Sequence, residues 1–265
     1  MKVVFTSHGN RLTNLASRLW YIAPLQPVGF DFHLYVDENS NVPTDLMDMT
    51  VQLKNFHVHF VKDVGPITKC YYAVQEFRNE PLFIIDDDNN YSPIWLRYSA
   101  DNFISNYRRF YDCVIGICAK KIIKNDHNEW ETVYYGPDQS DYQKTLGSFT
   151  GQAEPFQPSF RHQVYSGSPG SWISSNQLHE DFYDLATYNK ICFSDDEYWI
   201  WLQSIRRGFK HVCLNHSSVH PGDLSYQLNE IRLGDVNKAK DLYARNSFKL
   251  SLEKYPDIEP LLQLD

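Results

Sequence analysis

Three consecutive aspartates, Asp86, Asp87 and Asp88, follow directly on the apolar run Pro81 to Ile85 (PLFII). Adjacent carboxylates repel one another, and a partly buried cluster of them is costly unless a cation sits among them. A hard divalent ion, Mg²⁺ or Mn²⁺, removes that cost, and such ions commonly join one or two carboxylates to the phosphates of a substrate. The same run also suits a solvated turn, since Asp and Asn are frequent turn residues. The triplet alone leaves both readings open. Two other carboxylate arrangements fail on spacing. An EF-hand loop beginning at Asp86 needs Gly at 91 and Glu at 97, where Tyr91 and Arg97 stand. A phosphatase Asp-x-Asp motif lies near a first strand and leads into Gly or Thr, whereas this triplet ends a later run and leads into Asn89, Asn90 and Tyr91.

The segments that must hold these acids read as alternating strands and helices. Lys2 to Thr6 (KVVFT) is strand-like, followed by polar SHGNR and a helix-like LTNLASRLWYI. Phe32 to Val36 (FHLYV) forms a second strand ending at Asp37, and His57 to Val61 (HVHFV) a third. Gly65-Pro66-Ile67-Thr68-Lys69 opens a helix that runs through Phe77, and PLFII is the fourth strand. This spacing predicts βαβ units, and so an α/β fold with a mostly parallel central sheet and helices on both faces. Ligands of such sheets bind beyond the carboxyl ends of the strands, which is where the triplet falls.

Further along, Cys113 to Cys118 (CVIGIC) is another strand, and residues 119 to 165 are polar, aromatic and weakly periodic, the pattern of a functional or mobile connection. Ser194 to Phe209 is the strongest helix, with Ser194 and Glu197 as a capping box, Trp199, Leu202 and Ile205 as an apolar face, and Gly208 as a stop. A strand (HVCL) follows at 211 to 214. The last thirty residues pattern as amphipathic helix, with Val236, Leu242 and Tyr243 on a packing face. No repeat, low-complexity tract or linker interrupts residues 1–265, which read as one domain.

Composition narrows the partners. Of 265 residues 42% are hydrophobic, enough for one sizeable core. Lys+Arg is 25 against Asp+Glu 33, a net charge of −8, which disfavours nucleic acid as a partner. No apolar run approaches the ~18 to 20 residues that span a bilayer. The N-terminus turns polar after five residues, too early for a signal peptide. Five cysteines (Cys70, Cys113, Cys118, Cys192 and Cys213) without a CxxC pair read as reduced thiols, so a cytoplasmic location is expected.

Five segments, in this order, resemble the GT-A fold glycosyltransferases, in particular the family 2 type enzymes of bacterial surface-polysaccharide synthesis. FTSHGNRL at 5–12 is similar to the first strand and nucleotide-binding loop of that group, and GPITKCYYA at 65–73 to its Lys-containing segment. PLFIIDDDNNYSPIWL at 81–96 resembles the pattern of an apolar strand, three Asp, two residues, Tyr-Pro and Trp-Leu, with Ser92 inserted before Pro93. YSGSPGSWI at 165–173 is similar to the small-residue acceptor-side loop, and SDDEYWIWLQSIRRGFKHV at 194–212 to the Asp-Asp-x-Trp helix, with a longer spacing to Trp.

This resemblance implies a sugar transfer from a nucleotide-diphosphate donor, a UDP-sugar, to a glycan or lipid-linked glycan acceptor, with Mn²⁺ or Mg²⁺ as cofactor. Residues 1–100 would then be the donor half and 101–265 the acceptor half. The metal falls on Asp88, with Asp86 as a further ligand or ribose contact and His220 as an extra ligand from a late loop. Thr6, Ser7, Arg11, Asp37, Lys69, Asp86 and Asp87 would contact the nucleotide-sugar. Lys69 and Arg11 supply phosphate cations, although Lys69 also suits a solvated helix position. Asp196, or Asp195 beside it, would take the proton of the acceptor hydroxyl and give direct displacement with inversion. Acids in a first helical turn also offset the macrodipole without any catalytic part. The aromatic stretch with Trp130, Tyr134 and Tyr135 would cover the acceptor side, with Gly167 and Gly170 allowing close approach to a sugar. Peripheral association with a membrane follows if the acceptor is lipid-linked. His57 and His59 share a strand face, but no nearby acid completes a metal set, and they read as core or surface residues. Two other functions fit the fold: a sugar nucleotidyltransferase, disfavoured because SHGNR holds one Gly and one Arg, and a non-catalytic carbohydrate-binding or scaffold protein.

Overall fold

The computed structural model describes residues 1–22, 29–91, 113–124, 163–192, 195–213 and 244–262, with short pieces at 97, 100–101, 103–104, 126–127, 130–135 and 222–223. The first half runs β1 (Lys2–Thr6), α1 (Arg11–Ile22), β2 (Asp31–Asp37), α2 (Thr44–Gln52), β3 (Phe56–Val61), α3 (Thr68–Glu76), β4 (Leu82–Ile84) and a two-residue β5 (Asn89–Asn90). The second holds β6 (Cys113–Lys124), β7 (Trp130–Tyr135), β8 (Gln163–Ile173), α4 (Leu185–Ile191), α5 (Asp196–Arg206), β9 (Lys210–Cys213), β10 (Gly222–Asp223), α6 (Ala244–Lys254) and α7 (Ile258–Leu262).

The main sheet has the order β3-β2-β1-β4-β8-β6-β7, with β9 added beside β6. β1 to β4 are mutually parallel and β9 is parallel to β6, whereas β8 runs antiparallel to β4 and β6, and β7 antiparallel to β6. The expected α/β class is therefore the one observed. Nearly continuous apolar strands need cover on both faces, and the helices supply it. Val3, Phe5, Phe32, Leu34, Phe83 and Ile85 pack with Leu12, Leu15 and Leu19 of α1 and with Leu46 and Met49 of α2. Val4, Tyr35, Leu82 and Ile84 face the other way, onto Cys70, Ala73 and Val74 of α3 and the aromatic face of α5. Trp199 and Trp201 of α5 are fully buried, and the Trp199 indole N–H donates to Phe182 O at 3.1 Å. Among the described residues no helix is long and apolar enough to cross a membrane.

Four expectations need correction. The strand at Cys113 continues to Lys124, and Trp130, Tyr134 and Tyr135 lie in a second strand, β7, paired with Lys124, Lys120 and Ala119, instead of in an irregular connection; residues 136–162 lie outside the described residues. Pairing with β7 and β8 overrides the polar composition there, as sheet context commonly does. The segment YSGSPGSWI is likewise no simple loop but part of β8. Gly116 pairs with Ser171 and Cys118 with Ser166, so the four residues 167–170 stand opposite residue 117 alone. A proline cannot donate to a central ladder, and Gly170 at φ 110 turns the chain back into register. The third correction is the cap of α5. Asp195 holds it, accepting from the Tyr198 N–H at 3.0 Å, while Ser194 lies outside the described residues. The stop at Gly208 (φ 96) is as expected: its N–H donates to Ile205 O at 2.9 Å and that of Phe209 to Ser204 O at 3.0 Å, which closes a Schellman motif. Finally, His59 does have an acid beside it. Glu76, at the end of α3, places a carboxylate oxygen 3.5 Å from His59 Nδ1, a juxtaposition made only by folding α3 over the β2–β3 pair. Val236, Leu242 and Tyr243 lie outside the described residues.

Candidate active site

The carboxyl end of β4 opens into the acidic triplet, and three helices send side chains to it. α1 follows β1 and starts with Arg11, whose Nη1 lies 2.9 Å from Asp87 Oδ1 and 3.4 Å from Asp88 Oδ2. Two turns on, Arg18 Nη1 donates to the Asp87 carbonyl. α3 begins after a tight turn in which Gly65 (φ 89) donates to Asp63 Oδ1 at 2.9 Å and the Thr68 hydroxyl donates to the same oxygen at 2.8 Å. That turn places Lys69 in the first helical turn, buried and pointing at the rim. Its Nζ lies 2.5 Å from Asp86 Oδ1 and 3.2 Å from Asp196 Oδ2. Asp196 comes from the first turn of α5, directly after its cap. The solvated position open to Lys69 by sequence is thus not the one it takes: only 5% of the residue is exposed.

Four carboxylates (Asp86, Asp87, Asp88 and Asp196) therefore meet three cations (Lys69, Arg11 and Arg18). Burial and the neighbouring carboxylates both act on the protonation equilibria. Burial, with Asp86 and Asp87 alongside, pushes the Asp88 carboxyl up to about 6, against the pull of Arg11 and Lys69. Asp196 is pushed up to about 6 by burial, opposed by Lys69 and reinforced by Asp86 and Glu197. Burial works against the Lys69 ammonium, but Asp196 and Asp86 more than reverse it and hold the group well above its ordinary value. Asp87 Oδ2 is buried without a hydrogen bond. The oxygens are hard donors of the kind a divalent cation prefers, and the Asp88 side chain keeps 25% exposure.

Of the other expected residues, Thr6 donates its hydroxyl to Tyr35 O at 2.9 Å at the end of β1, and Ser7 beside it is buried with an Oγ that makes no hydrogen bond. Asp37 is engaged in the loops, accepting from the N–H groups of Asn39 at 2.9 Å and Asp63 at 3.1 Å, which hold its carboxyl below the usual range. Asp195 is occupied as the cap of α5. His220 lies outside the described residues, although Gly222, two positions on, pairs with Asn90 just past the triplet. Tyr91 and Arg18 were not anticipated. Tyr91 is buried and its hydroxyl accepts from the Asp86 N–H at 3.0 Å, which pins the start of the triplet. Arg18 carried a legible signal, a second arginine seven residues after Arg11 on the same helical face. A shallow cavity of about 360 Å³ lined by Gln75, Arg78, Asn79, Ser175, Asn176 and Tyr183 lies at the far end of α3 and shares no residue with the rim.

No family model and no curated protein matches the sequence. Among solved structures the chain is similar to S. aureus TarS 1-349 in complex with UDP-GlcNAc, at 14% identity and TM-score 0.46, over 82% of this chain and 56% of that one. The same fragment in complex with UDP matches at 15% identity and TM-score 0.46, over 82% and 58%. The galactosyltransferase LgtC, in complex with donor and acceptor sugar analogs, matches at 12% identity and TM-score 0.41, over 79% and 71%. The chain spans a little over half the length of the TarS 1-349 structures.

Proposed function

We propose that the chain is a divalent-metal-dependent, inverting glycosyltransferase that moves a sugar from a nucleotide-diphosphate donor, a UDP-sugar, to a hydroxyl of a glycan acceptor, lipid-linked glycans included. The observation that carries this reading is the buried Lys69, which joins an acid of the metal-type rim (Asp86) to the acid expected to act as base (Asp196). Asp88 and Asp86 would hold Mn²⁺ or Mg²⁺, which when bound offsets the charge gathering on a departing diphosphate. Lys69 and Arg11 add permanent positive charge at the same edge and orient the phosphates. Asp196 accepts the proton of the acceptor hydroxyl as that oxygen bonds to the anomeric carbon. The bond from that carbon to the diphosphate breaks, and its electron pair leaves with the phosphate oxygen. A carboxyl near 6 is ionised at neutral pH and is a stronger base than an ordinary aspartate, which suits that task.

The test is incubation of the protein with UDP-sugars, Mn²⁺ and a panel of oligosaccharide acceptors, with NMR of the new linkage. Metal-dependent release of UDP with inversion at the anomeric carbon is expected. Release of pyrophosphate from a nucleoside triphosphate and a sugar phosphate would instead mark a nucleotidyltransferase, and sugar binding without turnover a binding protein.

A further inference from the structure

We propose a second metal site, specific for a nitrogen-preferring divalent cation of the zinc class, built by His33, His59 and Glu76 at the β2–β3 edge of the sheet. It is independent of the rim and of the function proposed above. One donor atom from each of the three side chains lies within 4.8 Å of the others, the one such histidine, cysteine and carboxylate cluster among the described residues. The register explains the approach. His33 pairs with His57 and Tyr35 with His59, so His33 and His59 are diagonal neighbours on one face, and α3 lays Glu76 across them. His33 Nδ1 lies 2.9 Å from His59 Nε2, and the other ring nitrogen of His59 is 3.5 Å from Glu76 Oε2.

Two neutral rings in that contact have one proton between the facing nitrogens. His33 is buried, and its second nitrogen has no hydrogen-bond partner. A tetrahedral zinc site has ligand atoms about 3.3 Å apart, set by bonds of about 2.0–2.1 Å. The facing donors, at 2.9 and 3.5 Å, bracket that spacing.

The surroundings are those of a prepared ligand set. His57 stacks on His33 with centroids 4.8 Å apart, Tyr35 stacks on His59 at 4.6 Å, and Phe77 abuts His33 at 4.6 Å, so the rings are held in orientation. The Tyr35 hydroxyl donates to Glu76 Oε2 at 2.9 Å and fixes the carboxylate, as an outer partner does for a ligating acid. The side chains of His59 and Glu76 keep 22% and 42% exposure, leaving a coordination position open to water. Imidazole donors favour zinc-class ions over Mg²⁺ or Mn²⁺, so the two sites would select different cations.

Cobalt(II), a coloured zinc substitute, tests the assignment on the full chain after chelator treatment. One equivalent is expected to give the visible absorption of a four-coordinate nitrogen and oxygen site, displaced by one equivalent of Zn²⁺ and untouched by excess Mg²⁺. Glu76→Gln and His59→Asn, both partly exposed positions that should leave the fold intact, are each expected to weaken binding at least tenfold, whereas Asp88→Asn leaves it unchanged. No band in the wild-type protein, a band that survives both edge variants, or one lost with Asp88→Asn would overturn the assignment.

Discussion

The rim at the end of β4 and the edge formed by β2 and β3 both gather titratable side chains in one sheet, and they settle them in opposite ways. At the rim the groups stay charged and are balanced, incompletely, by cations borne on α1 and α3. At the edge His33 is kept neutral by burial, stacked on His57 and abutted by Phe77, with the Glu76 carboxylate beside its neighbour His59. Buried charge is expensive, and a fold that needed only stability would replace it with apolar packing. The rim retains an excess of acid, and burial, reinforced by neighbouring carboxylates, raises Asp88 and Asp196.

This contrast can be broken first at the proposed base. Asp196→Asn should lower kcat by about 10²–10⁴-fold with little change in donor KM, because the amide keeps the shape but takes no proton. An unchanged kcat in steady-state assays would return Asp196 to a purely structural part. Next comes the shared cation. Lys69→Met leaves Asp86 and Asp196 facing each other without their bridge, and a loss of about 3–5 kcal/mol in urea unfolding is expected. A loss under about 1 kcal/mol would mean that the rim does not depend on internal pairing.

The pH profile of stability sharpens the contrast further, since the two regions slope in opposite directions. Asp88 and Asp196 titrate near 6 in the folded chain and near 3.8 unfolded, so between those values the native state holds more protons. Raising the pH from 4 to 6 on metal-free protein therefore costs about 2–3 kcal/mol for each group. For His33 the folded value is about 3 against 6.5 unfolded, so its burial contributes stability above 6.5 that is lost as the pH falls below it. Thermal melts of Asp88→Asn should lack part of the acid-side gain, and those of His33→Gln part of the acid-side loss. Identical profiles would refute the assignment of these slopes. The smallest effect concerns the neighbour of the base. Asp195→Ala should cost about 1 kcal/mol as a lost helix cap, with kcat changed less than threefold. A fall in kcat as large as that of Asp196→Asn would show that Asp195 takes part in the chemistry.

β1 to β4, β9, the helices α1, α3 and α5 and the acidic triplet were legible because each is a local pattern: apolar runs, a polar break, acids at a strand end; α2, α4 and β7 carried no such pattern. Lys69 and Asp196 were legible as candidates, but not their shared ion pair, which depends on how α3 and α5 converge. The same holds for Glu76. Nothing near His57 and His59 in the chain announces an acid that arrives from a helix packed over two strands. β8 departs from its sequence pattern for a different reason, since glycine and proline at 167–170 carry the signature of a loop and the flanking register alone reveals a bulge. The exchange of Ser194 for Asp195 as cap is a shift of one position, the ordinary uncertainty of helix ends.

The central claim is that the rim grips a divalent ion which holds a nucleoside diphosphate. Calorimetric titration of UDP into the wild-type protein and into Asp88→Asn, each with and without Mn²⁺, addresses it most directly. Binding of UDP that requires Mn²⁺ in the wild type and disappears in a folded Asp88→Asn protein is the result expected. UDP binding of equal strength in all four titrations, or in none, would contradict it.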